Sequence, residues 1–452
     1  MSGTGSAERT GSATATREGL FDWWREGTSQ ARRALIAASL GWMLDAFDVM
    51  LYAMVLASVI TDLGLTKPQA GMLGSVTLLA AAAGGIGFGF FADRFGRTRA
   101  LMASVLLYSL FTGLCGLSQN LWQFALCRVF LGLGMGGEWA SGAALVSESW
   151  PSKSRGKALG LMQSAWAIGY AAAALVTALV LPRFGWRAVF FVGVLPALLV
   201  FWVQRHVEEA PLWNERRATR LGAGASGAPG GAPISRAAAS PVGAAAAAPA
   251  ARFSDLFRGK LGRITVAVTF MNACTLFGWW GLNTWVPAYL SLPTAQGGIG
   301  VSTGVMSGLV LLMQVGMWFG YVTFGYIGDA AGRKRTYVTY LLMASLLLPL
   351  YGAMKNPLVL LALGPFVAFF GTGYYSGFGA ITAELYPTSI RATAQGFTYN
   401  LGRIASAAAP FIVGSLAASR GFFAAFAVSG AAFLLAAVAW KWIPETRGRE
   451  LA

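Results

Sequence analysis

Apolar residues in this chain fall into long blocks of 17 to 27, divided by short polar stretches. A helix needs roughly 20 apolar residues to cross the hydrocarbon layer. The blocks therefore predict twelve membrane-spanning helices, at about 34–60, 69–91, 100–117, 121–147, 157–180, 187–204, 264–290, 304–328, 337–354, 357–383, 392–417 and 422–443. A very apolar soluble helical protein is the competing reading, and twelve runs of this length argue against it.

The polar breaks between blocks repeat. Gly89–Arg99 reads GFFADRFGRTR and Gly325–Arg335 reads GYIGDAAGRKR, each a short charged hairpin at the water edge between two apolar runs. Asp93 and Asp329 lie 236 positions apart, as do Glu148 and Glu384, Pro151 and Pro387, Arg155 and Arg391, and Gly160 and Gly396. One offset shared by five pairs signals a duplicated half, and parallel repeats of six spans are the plan of one large transporter class. The expected architecture is an all-α membrane protein, with twelve transmembrane helices in two six-helix pseudo-repeats around a central cavity. Its parts are an N-terminal tail (1–33), a first half (34–204), a linker (205–263), a second half (264–443) and a C-terminal tail (444–452). Within the linker, 218–251 is almost wholly Ala, Gly, Pro and Ser. It cannot bury enough apolar surface to offset its ordering entropy, so disorder is expected there. Phe253, Leu256 and Phe257 next to basic residues predict a short interfacial helix leading into span 7.

Composition agrees with the blocks: 56% hydrophobic and 12% charged residues over 452 positions. The net charge of +16 suggests a nucleic-acid partner, but its placement argues otherwise. With the N-terminus in the cytoplasm, 27 Lys and Arg residues fall on that side and 5 on the other. Such asymmetry orients a membrane protein, here with both termini cytoplasmic in the inner (plasma) membrane. Residues 1–20 have no hydrophobic core, so a cleaved signal peptide is not expected. Cys115, Cys127 and Cys274 lie in or beside spans without ligand spacing and read as packing residues; His206 reads as a solvated span end. Gly132-x-Gly134-x-x-Gly137 matches the dinucleotide fingerprint in form only, since it sits inside an apolar run with no strand before it. Small residues at that spacing let membrane helices approach closely. The Gly-rich piece at 297–300 lacks the Lys-Ser/Thr of a phosphate loop. Nothing here supports an enzyme, a cofactor or a metal site.

Charges at bilayer depth cost several kcal/mol, roughly 2.5 to 3.5 on insertion scales, and each needs a reason. Five lie deep: Asp45 and Asp48 in span 1, Arg128 and Glu138 in span 4, and Arg403 in span 11. Asp45 and Asp48 share a helix face at i, i+3. Arg128 and Glu138 are about 15 Å apart along their axis, with Arg128 on the outer side of centre. If spans 1 and 4 pack together, Asp48 is placed to meet Arg128, and Asp45 lies towards Glu138. A plain buried ion pair joining two helices is one reading. Three acids against two arginines make the other: at least one acid holds a proton, since low dielectric and a like-charged neighbour favour the neutral form. That is what coupling to a proton gradient requires. Arg403 has no acidic residue at matching depth in spans 7 to 12. It either reaches across to an acid of the first half or, the favoured reading, offers its planar fork to a substrate carboxylate. Gln163, Trp166, Tyr170, Trp279, Asn283, Gln314, Tyr374, Tyr375 and Asn400 are candidates to line the pocket with it.

With these motifs quoted, the chain resembles the major facilitator superfamily over nearly its full length. The resemblance implies that Asp93, Arg97, Glu148 and Arg155, with Asp329, Arg333, Glu384 and Arg391, are interdomain latches that gate a rocking motion of the halves. Ala330 stands where the first copy has Arg94, which weakens the second network. Within the superfamily, LDAFD, GMGGEWASG, ESWPSKSRGKALG and TAELYPTSIRATAQGFTYNLGR look most like the organic-acid proton symporters (aromatic acid, sialate, monocarboxylate). That likeness implies that Asp45, Asp48 and Arg128, with Glu138, serve proton coupling. Its expected partners are a small organic anion, protons and the lipid bilayer, with no nucleic acid, and the chain working as a monomer. Sugar or polyol symporters are the rival, through Gln163, Asn283 and Pro444–Gly448, although Phe277 and Gly278 replace their paired glutamines. Drug or metabolite efflux is a further alternative.

Overall fold

The computed structural model describes residues 22–150, 155–207, 253–387 and 390–446. The expected disordered linker segment 218–251 lies outside the described residues, as do most of the N-terminal tail and the end of the C-terminal one. In the hydrocarbon layer every backbone N–H and C=O needs a partner within the segment, so the apolar blocks become helices. Among the described residues ten are long and apolar enough to cross a membrane, and one of them, Lys157–His206, has 50 residues, enough for two crossings. The charge-bearing 29-residue helix Leu121–Ser149 completes the expected twelve.

Span 1 is Ser29–Asp62, span 2 Lys67–Phe95, span 3 Arg97–Cys115 and span 4 Leu121–Ser149. Span 5 occupies the first part of Arg155–Val192, whose backbone turns at Gly185 (φ 76°) just after Pro182, and span 6 continues through Ala197–His206. Spans 7, 8, 9 and 12 are Gly259–Ser291, Thr303–Ala331, Arg333–Ala353 and Gly421–Ala439. Spans 10 and 11 depart from the sequence expectation of single helices. Span 10 is Pro357–Gly373 followed by Tyr375–Leu385, and span 11 is Arg391–Ser406 followed by Ala409–Ser419. Pro410 cannot donate an intrahelical hydrogen bond and starts the second piece of span 11. An even number of crossings puts both termini and the linker on one side, the terminal face; the other side is the far face.

The duplication shows in the backbone. Spans 2 and 8 end, and spans 3 and 9 begin, at Gly96 (φ 112°) and Gly332 (φ 104°), glycines with the same 236-residue offset. Only glycine turns there without strain. Gly84 of span 2 meets the Leu133 carbonyl of span 4, and Gly320 of span 8, again 236 residues on, meets the Phe369 carbonyl of span 10. The fingerprint lookalike is part of the same seam: Gly132 abuts the Thr77 carbonyl and Gly137 the Phe88 ring of span 2, while Gly134 faces Tyr108 of span 3; the neighbouring Gly136 abuts the Ala81 carbonyl. Close backbone approach is their function.

Within the first half, span 4 packs on spans 2 and 3, and span 1 on span 5; within the second, 8 packs on 10, 9 on 12, and 7 on 11 and 12. Spans 5 and 8, 2 and 11, and 1 and 7 join the halves. At the far face their contact is tight where span 2 meets span 11, while the ends of spans 1 and 5 stand apart from those of spans 7 and 8 across a cleft of about 580 Å³. Gly71 abuts Pro410 and Phe411, and the Lys67 ammonium donates to the carbonyls of Gln296 (2.6 Å) and Ala417 (3.3 Å). Towards the terminal face it loosens: Gly87 and Gly89 of span 2 and Gly396 of span 11 have open space where a Cβ would stand. The predicted interfacial segment is a 3-10 turn, Phe253–Phe257, whose two Phe rings pack on Phe397 of span 11. The tail docks as well: Glu445 accepts from the backbone N–H groups of Arg333 (3.0 Å) and Lys334 (3.1 Å). A carboxylate there caps the start of span 9 and meets the positive end of its dipole.

Candidate functional site

The broken helices frame a cavity between the halves. Arg403 lies in the last turn of Arg391–Ser406, where the negative end of the helix dipole favours a cation. Asn272 of span 7 holds that stretch in place, donating to the carbonyls of Thr398 (3.2 Å) and Tyr399 (3.3 Å) and packing against Gly402. Across the break in span 10, Tyr375 shares a 2.7 Å hydroxyl–hydroxyl hydrogen bond with Tyr399. The cavity is lined from the first half by Trp42, Met135, Gln163 and Trp166. The second half supplies Leu276, Trp279, Trp280, Tyr321, Tyr375, Tyr399 and Arg403. The rings interlock, with centroid distances of 4.7 Å for Trp42–Trp166, 5.5 Å for Trp166–Trp279 and 4.7 Å for Trp279–Trp280. The space left is about 20 Å³, room for little more than a water molecule.

The polar groups of this lining are mostly donors that lack acceptors. Among the described residues the indole N–H groups of Trp42 and Trp166 are buried with no hydrogen-bond partner, and that of Trp279 is turned to the Tyr321 hydroxyl. The Arg403 side chain is only 4% exposed and makes no hydrogen bond or ion pair among the described residues. A buried unmatched donor is costly, and each marks a place where an acceptor belongs.

The deep acids stand beside the cavity. Asp45, Asp48 and Glu138 are completely buried. Both oxygens of Asp45, both of Glu138 and Oδ1 of Asp48 lack hydrogen-bond partners. Asp45 lies within electrostatic reach of Arg403 across the interface, and of Glu138 on span 4. The alternative in which Arg403 faces an acid of the first half thus has a partner of the right sign, Asp45, although not as a closed ion pair. The expected meeting of Asp48 with Arg128 is not a contact either. Thr112 of span 3 donates to Asp48 Oδ2 at 3.1 Å, while Arg128 lies over the Tyr52 ring at 4.4 Å. Spans 1 and 4 do pack together, but span 3 brings a hydroxyl to Asp48 that the span 1–span 4 helical geometry did not anticipate.

Of the pocket candidates, Arg403, Gln163, Trp166, Trp279 and Tyr375 line the cavity; Tyr170, Asn283, Gln314, Tyr374 and Asn400 do not. The polar groups of those five turn to backbone. The Tyr170 hydroxyl donates to the Asn283 carbonyl (3.2 Å) and that of Tyr374 to the Thr275 carbonyl (3.0 Å). The amides of Asn283, Gln314 and Asn400 donate to carbonyls four residues back in their own helices. Trp42 and Met135 were missed, although each precedes a deep acid by three residues, Asp45 and Glu138, on the same helix face. Tyr321 and Leu276 carried no such signal. Among the gating candidates, Arg333 pairs with Glu384 at 3.3 Å, and Arg391 Nε donates to the Tyr386 carbonyl at 3.2 Å. Both contacts stay inside the second half, so the Arg333–Glu384 pair ties spans 9 and 10 to each other, not one half to the other. Arg97 is buried at the start of span 3. The side chains of Asp93, Glu148, Arg155 and Asp329 lie outside the described residues.

Twelve spans in two glycine-seamed halves enclose a cavity where the halves meet. The model of the Major Facilitator Superfamily matches residues 38–312 and 288–451. This chain belongs to that superfamily. The cis,cis-muconate transport protein of Acinetobacter baylyi is 31% identical over 92% of this chain and 94% of its own length. The probable 4-methylmuconolactone transporter of Cupriavidus pinatubonensis is 31% identical over 95% of this chain and 94% of its own. Among solved structures, a D-xylose–proton symporter superposes with a TM-score of 0.71 at 20% identity, over 94% of this chain and 100% of that one, which speaks for the fold alone. The superfamily member described here is a multi-pass membrane transporter and not an enzyme.

Proposed function

We propose that this transporter imports a small organic carboxylate together with protons, exposing the central site alternately to the two faces. The observation that carries the reading is Arg403: buried between the halves, ringed by aromatic side chains, and without an acceptor. A guanidinium fork recognises a carboxylate bidentately, and the ring faces around it suit a flat carbon skeleton. The cargo in one relative's name, muconate, is such a flat dicarboxylate. The unmatched indole N–H groups add donors for its oxygens.

Coupling follows from competition. Asp45 and a substrate carboxylate both draw on Arg403. With a proton on Asp45 the guanidinium is released to the substrate; when the proton leaves, Asp45 reclaims Arg403 and expels the anion. Glu138 and Asp48 extend the acidic set along spans 1 and 4 and share the proton. The basic excess of 27 against 5 Lys and Arg residues makes the terminal face cytoplasmic, so protons and substrate load at the far face. The halves, 34–204 and 264–443, rock about the site as bodies. In this reading Asp93, Arg97, Glu148 and Arg155, with Asp329, Arg333, Glu384 and Arg391, brace the cytoplasmic ends during that motion.

The test is uptake into proteoliposomes under an imposed inward proton gradient, offering labelled benzoate, cis,cis-muconate, sialate, lactate, glucose and xylose. Gradient-driven uptake of a carboxylate is expected, falling by about a hundredfold in Arg403→Ala, the loss of a charge-assisted bidentate contact. Sugar uptake that survives Arg403→Ala would overturn the anion site and establish the sugar-symporter alternative.

A further inference from the structure

A second chamber lies beyond the central one, towards the far face. Its walls include Tyr52, Gly74, Thr77, Arg128, Trp280 and Pro410. Trp280 borders both chambers, so a single indole divides them. Arg128 is 2% exposed, and its Nε and Nη1 have no hydrogen-bond partner. Its charge is met only indirectly: the Tyr52 ring lies beneath it, and Asp48, within electrostatic reach, is engaged by Thr112 instead. The Tyr52 hydroxyl donates to the Ala70 carbonyl (2.7 Å) and makes no hydrogen bond with Arg128, and no carboxylate stands among the walls. A buried guanidinium with two unmatched nitrogens lining a void is a half-built anion site.

The position of the chamber gives it a use. Gly74 and Pro410 are at once its wall and part of the seam that closes the far face, a Cβ on Gly74 meeting Pro410 at 3.0 Å. In this far-face-closed conformation the chamber is contracted to about 10 Å³. Gly74 of span 2 and Pro410 of span 11 both line it, so parting those spans at the seam widens it. Arg128 lies about 10 Å in from the far end of span 4, ahead of Arg403 on the inward path.

We infer that Arg128 is an anion-binding subsite that captures the substrate carboxylate on entry from the far face and passes it around Trp280 to Arg403. The inference rests on the carboxylate reading above and adds a second docking position to it.

The experiment is equilibrium binding of labelled cis,cis-muconate and benzoate to the purified full-length chain, each variant first checked for monodispersity. Arg403→Gln is expected to keep a saturable residue of binding, weaker than wild type by about tenfold or more. Arg403→Gln/Arg128→Gln should lose that residue, and Arg403→Gln/Arg128→Lys should recover part of it through the retained charge. Asp48→Asn added to Arg403→Gln removes a negative charge within electrostatic reach of Arg128 and should tighten that binding. Loss of all binding in Arg403→Gln alone, or equal binding in the single and double variants, overturns the subsite. So does Asp48→Asn abolishing the residue as fully as Arg128→Gln, which would make Arg128 a counter-ion for span 1. Wild-type affinity in Arg403→Gln would instead sink the Arg403 anchor while leaving Arg128 to be judged by its own variant. A wild type that binds neither ligand would remove both.

Discussion

Single atoms define this site. The Nε1 groups of Trp42 and Trp166 are buried donors without acceptors among the described residues. Replacing Trp166 by Phe keeps a ring in the cluster and deletes one donor. If that donor reaches a substrate oxygen, Kd for a bound carboxylate rises by about fivefold, the worth of one neutral hydrogen bond of about 1 kcal/mol. Unchanged affinity with a cleanly folded variant would confine Trp166 to packing. Asp45 is argued differently, because its role is to compete and not to bind. Asp45→Asn is neutral at every pH, so substrate exchange without a gradient should persist while accumulation against a gradient fails. Counterflow and gradient-driven uptake measured side by side check this, and a variant that still accumulates substrate would remove Asp45 from coupling.

At the scale of helices, stability depends on where the backbones touch. Gly136 sets span 4 against the Ala81 carbonyl of span 2, so Gly136→Ala drives a methyl into backbone that cannot yield. The expected cost is about 1–3 kcal/mol, seen as a lower melting temperature in detergent and a smaller folded yield. Gly87→Ala in span 2 is the contrast. Its Cβ meets open space, and the helix-propensity gain predicts equal or slightly higher stability. Equal losses in the two variants would refute a seam at Gly136. The breaks at Tyr374 and at Ala407–Ala408 belong to this scale too. They interrupt two otherwise continuous spans, and Tyr375 and Arg403 stand beside them at the cavity.

For the whole molecule the question is which face is closed. Here the way from the far face to the central cavity is closed between spans 2 and 11 by the Gly71–Pro410 contact and by Lys67, which binds two carbonyls of the other half and lies 5.1 Å from the centre of the Phe422 ring. Lys67→Ala removes the only charged side chain in that set of contacts and should shift the population towards far-face-open states. In a Cys115→Ser/Cys127→Ser/Cys274→Ser background, labelling of Thr284→Cys by an impermeant maleimide added at the far face is expected to rise severalfold. An unchanged rate would show that the apolar seam alone holds the closure.

Twelve spans, the duplicated half and the five deep charges were legible in the sequence because each is a local property. A run of apolar residues, a constant offset and a charge inside such a run can all be read without knowing what lies opposite. Spacing also placed Asp45 and Asp48 on one face, and could have delivered Trp42 and Met135. What touches what was decided by the packing of separate helices. Thr112 of span 3 took the hydrogen bond of Asp48 that Arg128 of span 4 was expected to meet. Tyr170, Tyr374 and Asn283 were drawn to nearby carbonyls because a buried polar group takes the first partner within reach. Arg403 came within electrostatic reach of Asp45 across the two halves although the residues are 358 positions apart, a relation set by how the halves dock and carried by no local pattern.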